Sequence, residues 1–126
     1  MSRLIVVGGR KLRGEITVEG AKNAVLPILA ATVLNGGINV IKGCPELSDV
    51  SLMFDILRGL GCKVSVENDM AEVDSSTLNN TVIPDGLAKE MRSSIFLMGP
   101  MLARCKKVTI SYPGVCVGLL AQYVSY

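Results

Sequence analysis

The chain has 126 residues with 13 basic and 11 acidic side chains, so its formal net charge is only +2. This length fits a single domain, and a hydrophobic content of 49% is enough for a core. The charge is too small and too dispersed for a nucleic-acid or anionic-membrane surface. The absence of histidine excludes Ser-His-Asp triads and histidine-bearing zinc sites. With no tryptophan and 4% aromatic residues, stacking platforms for bases are not expected.

The chain contains four cysteines, which are Cys44, Cys62, Cys105 and Cys116. No two of them form a C-x-x-C pair, and the apolar run at residues 4–7 is too short for a signal peptide. The apolar stretches 24–34 and 95–103 each contain a proline and are shorter than the roughly 18 residues that a membrane helix needs. We therefore expect a soluble cytoplasmic protein with reduced thiols and no membrane contact.

The N-terminal part of the sequence predicts two strands followed by a buried helix. Residues 4–7 and 15–18 are short runs rich in β-branched side chains, which is typical of strands. The apolar residues between Asn23 and Leu34 leave no polar face, and a helix of this kind is expected to be buried. Pro27 is expected in the first turn of this helix, where a missing N–H group costs little.

The remaining sequence alternates strands and helices that end at glycines. The predicted elements are a strand at 38–41, a helix at 48–60 capped by Ser48, a hairpin of 63–67 with 71–74, a helix at 87–104 and a strand at 108–111. Gly61 is expected to end the second helix, and Gly99-Pro100 to bend or split the third. A helix, a turn and a strand recur at residues 24–41 and 95–111, so we expect one α/β or α+β lobe.

Lys22 and Asn23 stand at the start of the most apolar helix and suggest an anion site. Asparagine is a favoured N-cap residue, and the free N–H groups of a first helical turn attract anions. The Lys22 ammonium beside that helix end would add a second attraction for a phosphate or a carboxylate. The spacing alone favours an ordinary cap and a solvated lysine, and it leaves the anion site open as the alternative.

Cys116 and Arg92 are two further candidates. Cys116 lies in a loop bounded by Gly114 and Gly118, and a loop thiol near basic groups can act as a nucleophile or an acid. The alternative is an incidental loop cysteine. Arg92 opens a helical stretch and could hold a phosphate or a carboxylate with its two-pronged guanidinium. The alternative is a surface or paired arginine.

Four short motifs, taken together, indicate a resemblance to a known protein family. They are Gly20-Ala21-Lys22-Asn23-Ala24, Leu60-Gly61-Cys62-Lys63-Val64, Met91-Arg92-Ser93-Ser94-Ile95 and Pro113-Gly114-Val115-Cys116-Val117-Gly118. With them the chain resembles the UDP-N-acetylglucosamine 1-carboxyvinyltransferase family from residue 1 to about residue 118. The Lys-Asn pair and the Pro-Gly-x-Cys loop are the most specific part of this likeness, since the related enolpyruvylshikimate-phosphate synthases lack that cysteine loop.

The resemblance implies transfer of enolpyruvyl from phosphoenolpyruvate to the 3-hydroxyl of UDP-N-acetylglucosamine, with release of phosphate and without a metal or organic cofactor. Cys116 matches the residue that gives a proton to the phosphoenolpyruvate methylene. Lys22 and Asn23 match residues that help to hold phosphoenolpyruvate, and Arg92 matches one that contacts the nucleotide-sugar. The resemblance also implies a lobe of repeated βαβαββ units around buried helices, with the active site in the cleft to a second lobe.

The sequence departs from this family after Gly118, where the family continues with Ala-Arg-Pro-Ile or a similar stretch. We expect residues 1–118 to be the N-terminal part of the enolpyruvyl transferase domain and residues 119–126 to be a divergent tail, read out of frame. Without the C-terminal portion that completes the site, the chain alone is expected to be inactive. A non-catalytic lobe that binds a nucleotide-sugar or a partner chain, and a fragment of enolpyruvylshikimate-phosphate synthase, stay open as alternatives.

Overall fold

The structure is a computed structural model that describes residues 2–90 and 92–110, with the backbone alone for Arg92 and Ser93. Its elements in chain order are α1 (Lys22–Ala31), β1 (Ile38–Ile41), α2 (Ser48–Gly59), β2 (Lys63–Glu67), β3 (Met70–Asp74), α3 (Asp85–Glu90), a 3-10 helix (Arg92–Leu97) and α4 (Met98–Cys105). Helices alternate with strands that join one antiparallel sheet. The α/β (α+β) class expected from the sequence is confirmed.

The sheet has the strand order β1-β3-β2, so β3 lies in the middle. β2 and β3 form a hairpin whose turn contains Asn68, with a φ of 54°. Asparagine tolerates this left-handed conformation better than most residues. β1 pairs with the other side of β3, from Ile38 opposite Asp74 to Ile41 opposite Ala71. The strand and the hairpin predicted for this part of the chain are confirmed.

The helices share one hydrophobic core with the sheet. Ala71 and Val73 of β3 are fully buried, whereas the alternating residues Met70 and Glu72 are exposed, as the alternation of side chains along a strand requires. The largest fully buried side chains are Leu26, Leu29, Val33, Val50, Met53, Ile56, Leu57, Leu60, Ile83, Leu97 and Met101. Because α1 packs against both α2 and the 3-10 helix, this core fixes the position of the Lys22 end of α1.

The N-terminal strands predicted at residues 4–7 and 15–18 are not formed. Residues 2–21 belong to no helix or strand and are exposed throughout, with Val7 89% and Ile16 92% exposed. A strand needs the backbone groups of a neighbour, and neither run pairs with the described sheet, although β1 and β2 each have one unpaired edge. The β-branched composition was therefore not sufficient to make these runs strands.

The first helix is less buried than its composition predicts. Val25, Leu26 and Leu29 are buried, but Ile28 is 50% exposed. The helix lies on the surface of a small core, so only the side that faces α2 and the 3-10 helix is covered. Pro27 is the sixth residue of α1 and not part of its first turn, because the helix begins at Lys22.

The later elements follow the expectation in part. The N-cap of α2 is Leu47 and not Ser48, which is the first residue of the helix. No side-chain hydrogen bond caps this helix. Gly61, with a φ of 100°, follows the end of α2 as expected. The third helical stretch is split at the 3-10 helix and not at Gly99-Pro100. Pro100 lies in the first turn of α4, where a proline disturbs no helical hydrogen bond.

Among the described residues, the segment of the last predicted strand forms a parallel bridge between Val82 and Thr109. The Ile83 N–H donates to the Thr109 carbonyl and the Thr109 N–H donates to the Thr81 carbonyl, at 2.9 and 2.8 Å. Ser111, the end of that prediction, lies outside the described residues. Among the helices of residues 2–90 and 92–110, none has the length and apolar character needed to cross a membrane.

Candidate functional site

The start of α1 presents unpaired backbone donors to solvent. The first helical N–H groups with partners are those of Ala24 and Val25, which both donate to the Ala21 carbonyl at 3.0 Å. The N–H groups of Lys22 and Asn23 have no partner among the described residues. The first turn also contains no acidic side chain. Such a helix end attracts an anion through its N–H groups and its partial positive charge.

Asn23 lies at this site but does not cap the helix. The N-cap is Ala21, whose extended backbone (φ −84°, ψ 133°) carries no side-chain capping bond. Asn23 is the second helical residue, is exposed, and makes no side-chain hydrogen bond within the described part of the chain. Pro27 follows four positions later and has no N–H to donate to the Asn23 carbonyl. The capping role expected for Asn23 is wrong, and its polar groups face solvent at the helix start.

Lys22 forms an ion pair that joins the starts of two helices. Its Nζ lies 2.9 Å from Oδ2 of Asp49, and the two side chains are 48% and 32% exposed. Asp49 is in the first turn of α2, where a carboxylate is stabilised by the positive end of the helix dipole. Lys22 is therefore both about half exposed to solvent and paired with a carboxylate in this structure. Asp49 is not among the residues that the sequence motifs single out, since only the packing of α1 on α2 brings it to Lys22.

Of the two other predicted site residues, Arg92 and Cys116, the structure describes only Arg92. Arg92 is the first residue of the 3-10 helix, and that helix packs against α1, the helix that begins at Lys22. The structure thus brings together the two elements that carry Lys22 and Arg92. Cys116 and its glycine-flanked loop lie outside the described residues.

The other three thiols lie in packed positions. Cys44 and Cys62 are 5% and 4% exposed, and Cys105 is partly buried at the end of α4. Burial raises the pKa of the Cys44 thiol above 9.0. Burial also raises the pKa of the Cys62 thiol to about 11, against a smaller opposing effect of Arg104. Both thiols are therefore neutral at physiological pH, which fits their predicted role in packing.

Two surface cavities border the segment that precedes α1 and the side of α2. One of about 350 Å³ is bordered by Cys44, Phe54 and Arg58, and one of about 690 Å³ by Thr17, Gly43 and Asp69. Lys22 and Asn23 line neither cavity. These two residues are exposed at an open surface in the described part of the chain.

The fold defines the class of protein first. The structure of the enolpyruvyl transferase NikO from Streptomyces tendae superimposes on 77% of this chain with a TM-score of 0.68 at 22% sequence identity, and the match covers 23% of that protein. At this identity the match shows the fold alone, which is that of part of an enolpyruvyl transferase.

The sequence then defines the family. The profile of EPSP synthase (3-phosphoshikimate 1-carboxyvinyltransferase) matches residues 6–117, so the chain belongs to this family. UDP-N-acetylglucosamine 1-carboxyvinyltransferase 2 of Caldanaerobacter subterraneus subsp. tengcongensis is 52% identical over 116 residues, or 92% of this chain. UDP-N-acetylglucosamine 1-carboxyvinyltransferase 1 of Symbiobacterium thermophilum is 47% identical over 119 residues. The chain spans only 28% and 27% of the lengths of these two relatives.

Proposed function

We propose that this chain is the N-terminal part of a cytoplasmic enolpyruvyl transferase that uses phosphoenolpyruvate and UDP-N-acetylglucosamine in peptidoglycan synthesis. Residues 1–118 form that part of the transferase domain, and the remaining portion of the site comes from polypeptide beyond it. The name and 52% identity of the Caldanaerobacter relative support this substrate pair. The family profile carries the name of a different acceptor, 3-phosphoshikimate, so the experiment below compares the two acceptors.

The start of α1 is the observation that carries the proposal. Phosphoenolpyruvate has a phosphate and a carboxylate, and it needs a site rich in N–H donors and positive charge. The start of α1 offers such a site through the free N–H groups of Lys22 and Asn23 and the Lys22 ammonium. Its first turn contains no acidic side chain that would repel the anion. The neighbouring 3-10 helix begins with Arg92, for which we propose a contact with the nucleotide-sugar.

Cys116 is proposed as the proton donor. In the addition step the acceptor oxygen bonds to C2 of phosphoenolpyruvate and its hydroxyl proton passes to a carboxylate base supplied by the rest of the enzyme, while the electrons of the C2–C3 double bond take a proton from the thiol at C3. In the elimination step the C2–O bond to phosphate breaks, and C3 returns a proton to the Cys116 thiolate, which restores the double bond. A thiol suits both transfers when its pKa lies near the working pH. The leaving phosphate gains charge in the second step, and positive groups such as Lys22 stabilise it.

The test uses a full-length chimaera in which this chain replaces the matched region of the Caldanaerobacter relative. Phosphate release from phosphoenolpyruvate is measured with UDP-N-acetylglucosamine or with shikimate 3-phosphate as the acceptor. We expect phosphate release when UDP-N-acetylglucosamine is the acceptor and none when shikimate 3-phosphate is the acceptor. Lys22→Ala should raise the KM for phosphoenolpyruvate at least tenfold. Lys106→Ala should change it less than twofold, because the Lys106 ammonium donates to the Ala103 carbonyl at the end of α4.

Two outcomes contradict the proposal. Turnover with shikimate 3-phosphate and not with the nucleotide-sugar would assign the chain to the other acceptor. Equal changes in the KM for phosphoenolpyruvate from Lys22→Ala and Lys106→Ala would show that the start of α1 does not bind this substrate. The 126-residue chain alone is expected to release no phosphate.

A further inference from the structure

We propose that Asp49 is a positioning residue that holds the Lys22 ammonium at the start of α1 for an anionic substrate. This inference rests on the proposed function and adds to it a residue on a second helix. Its basis is the ion pair between Lys22 Nζ and Asp49 Oδ2 at 2.9 Å.

The location of Lys22 explains why such a partner is needed. An ammonium in the first turn of a helix meets the partial positive charge of the helix end and is disfavoured there. A lysine side chain also has several rotatable bonds and is 48% exposed at this site, so it would otherwise extend into solvent. Asp49 opposes both tendencies, because its carboxylate attracts the ammonium and holds it in an ion pair of 2.9 Å.

Asp49 is itself well fixed. It lies in the first turn of α2, where the helix dipole favours its negative charge, and α2 packs directly against α1. The neighbouring residues Val50 and Met53 are 1% and 0% exposed, so the core holds this turn in place. A carboxylate on such a rigid turn holds a flexible lysine in one place before the substrate arrives, which lowers the entropy lost on binding.

Asp55 of the same helix provides a matched control. It also pairs with a basic side chain, since Arg58 Nη1 lies 3.0 Å from its Oδ1, and both partners are about half exposed. This second pair lies within α2 and involves no residue assigned to substrate. Asp55→Asn therefore removes one carboxylate and one ion pair from α2 without touching Lys22.

Phosphoenolpyruvate binding to the 126-residue chain is measured by NMR from the backbone N–H signals of Lys22 and Asn23. The KM for phosphoenolpyruvate and kcat are measured in the chimaera described above. Asp49→Asn is expected to weaken binding and to raise KM five- to tenfold, with kcat changed less than twofold. Asp49→Glu should restore most of the affinity, and Asp55→Asn should behave like the unaltered protein. In a Lys22→Ala background, Asp49→Asn should change the affinity less than twofold, since there is no ammonium left to position.

An equal loss from Asp49→Asn with and without Lys22 would overturn the positioning role, because it would show an effect on the fold and not on the ammonium. Tighter binding in Asp49→Asn would also overturn it and would make Asp49 a competitor of the substrate. If the unaltered chain and the chimaera show neither binding nor turnover, the proposed function itself fails and this inference fails with it.

Discussion

The guanidinium of Arg104 donates a hydrogen bond of 2.8 Å from Nη1 to the backbone carbonyl of Val33. The bond joins the last turn of α4 to the chain just after α1, across 71 positions of the sequence. The Val33 side chain is fully buried, and its N–H donates to Ala30 in the same turn. The contact therefore links the end of α4 to the chain that follows α1, beyond the end of α1 opposite to Lys22.

Arg104→Lys should destabilise the protein although it keeps the charge. A lysine cannot present the same planar donor to the Val33 carbonyl, and a hydrogen bond from a charged group contributes roughly 1.5–3 kcal/mol when well placed. Because Arg104 is only partly buried, we expect a loss of about 1 kcal/mol in the free energy of unfolding by urea. Arg58→Lys is the control, since its pair with Asp55 and its longer bond of 3.3 Å from Nη2 to the Val64 carbonyl are exposed and should together contribute less than about 0.5 kcal/mol. Equal losses in both variants would contradict the importance of the Val33 bond.

Gly61→Ala should be among the most damaging single changes in the described part of the chain. Gly61 has a φ of 100°, and a Cβ atom there would lie 2.5 Å from Asn79 Oδ1 and 2.8 Å from the Thr77 carbonyl oxygen. The backbone strain alone costs about 1–3 kcal/mol, and the clash adds to it. Thermal unfolding of Gly61→Ala should therefore show a fall in Tm of many degrees.

Gly43→Ala is the matched comparison for this prediction. Its φ is 69°, and a Cβ atom would meet nothing within 4 Å, so only the cost of the left-handed backbone remains. We expect a loss of about 1 kcal/mol for this variant. A Gly61→Ala variant that is as stable as Gly43→Ala would show that the segment at Thr77 and Asn79 moves away without cost.

Cys62 should make the stability depend on pH in the alkaline range. Burial raises the pKa of this thiol from 9.0 in the unfolded chain to about 11 in the folded protein. The fold therefore favours the neutral thiol, and its contribution is complete below pH 9.0 and is lost as the pH rises to about 11. The loss is on the order of 2 kcal/mol.

The measurement is the free energy of unfolding at several pH values from neutral to pH 11 for the unaltered protein and for Cys62→Ala. The variant is less stable at neutral pH because it leaves a cavity, but its stability should fall less steeply above pH 9.0. Cys105→Ala, which removes a partly buried thiol, should keep the steep fall. Parallel curves for the unaltered protein and Cys62→Ala would contradict the prediction.

The four thiols should react with an alkylating reagent in a defined order. Cys116 is predicted to be the most reactive, because its loop is flanked by glycines and a loop thiol is accessible. Cys44 and Cys62 should be labelled last, since both are buried and have raised pKa values. Mass spectrometry after limiting treatment with iodoacetamide gives the order, and a denatured sample, in which all thiols are accessible, is the control. Labelling of Cys62 at the rate of Cys116 would refute this order.

The sequence by itself determined the local elements and the family. Glycines such as Gly61, the Asn68 turn and the apolar spacing of α2 depend on short-range chemistry, so their positions were predicted well. The motif that contains Lys22 and Asn23 marked the start of α1 for the same reason. Local patterns also misled, because residues 4–7 and 15–18 have strand composition but no neighbouring strand to pair with.

The tertiary structure alone decided which side chains meet. Asp49 is 27 positions away from Lys22, and nothing in the spacing of the two residues predicts their contact of 2.9 Å. The packing of α1 on α2 creates it, and the 3-10 helix that begins at Arg92 also packs against α1. Long-range contacts of this kind follow from the way a whole core is filled, which no local pattern encodes.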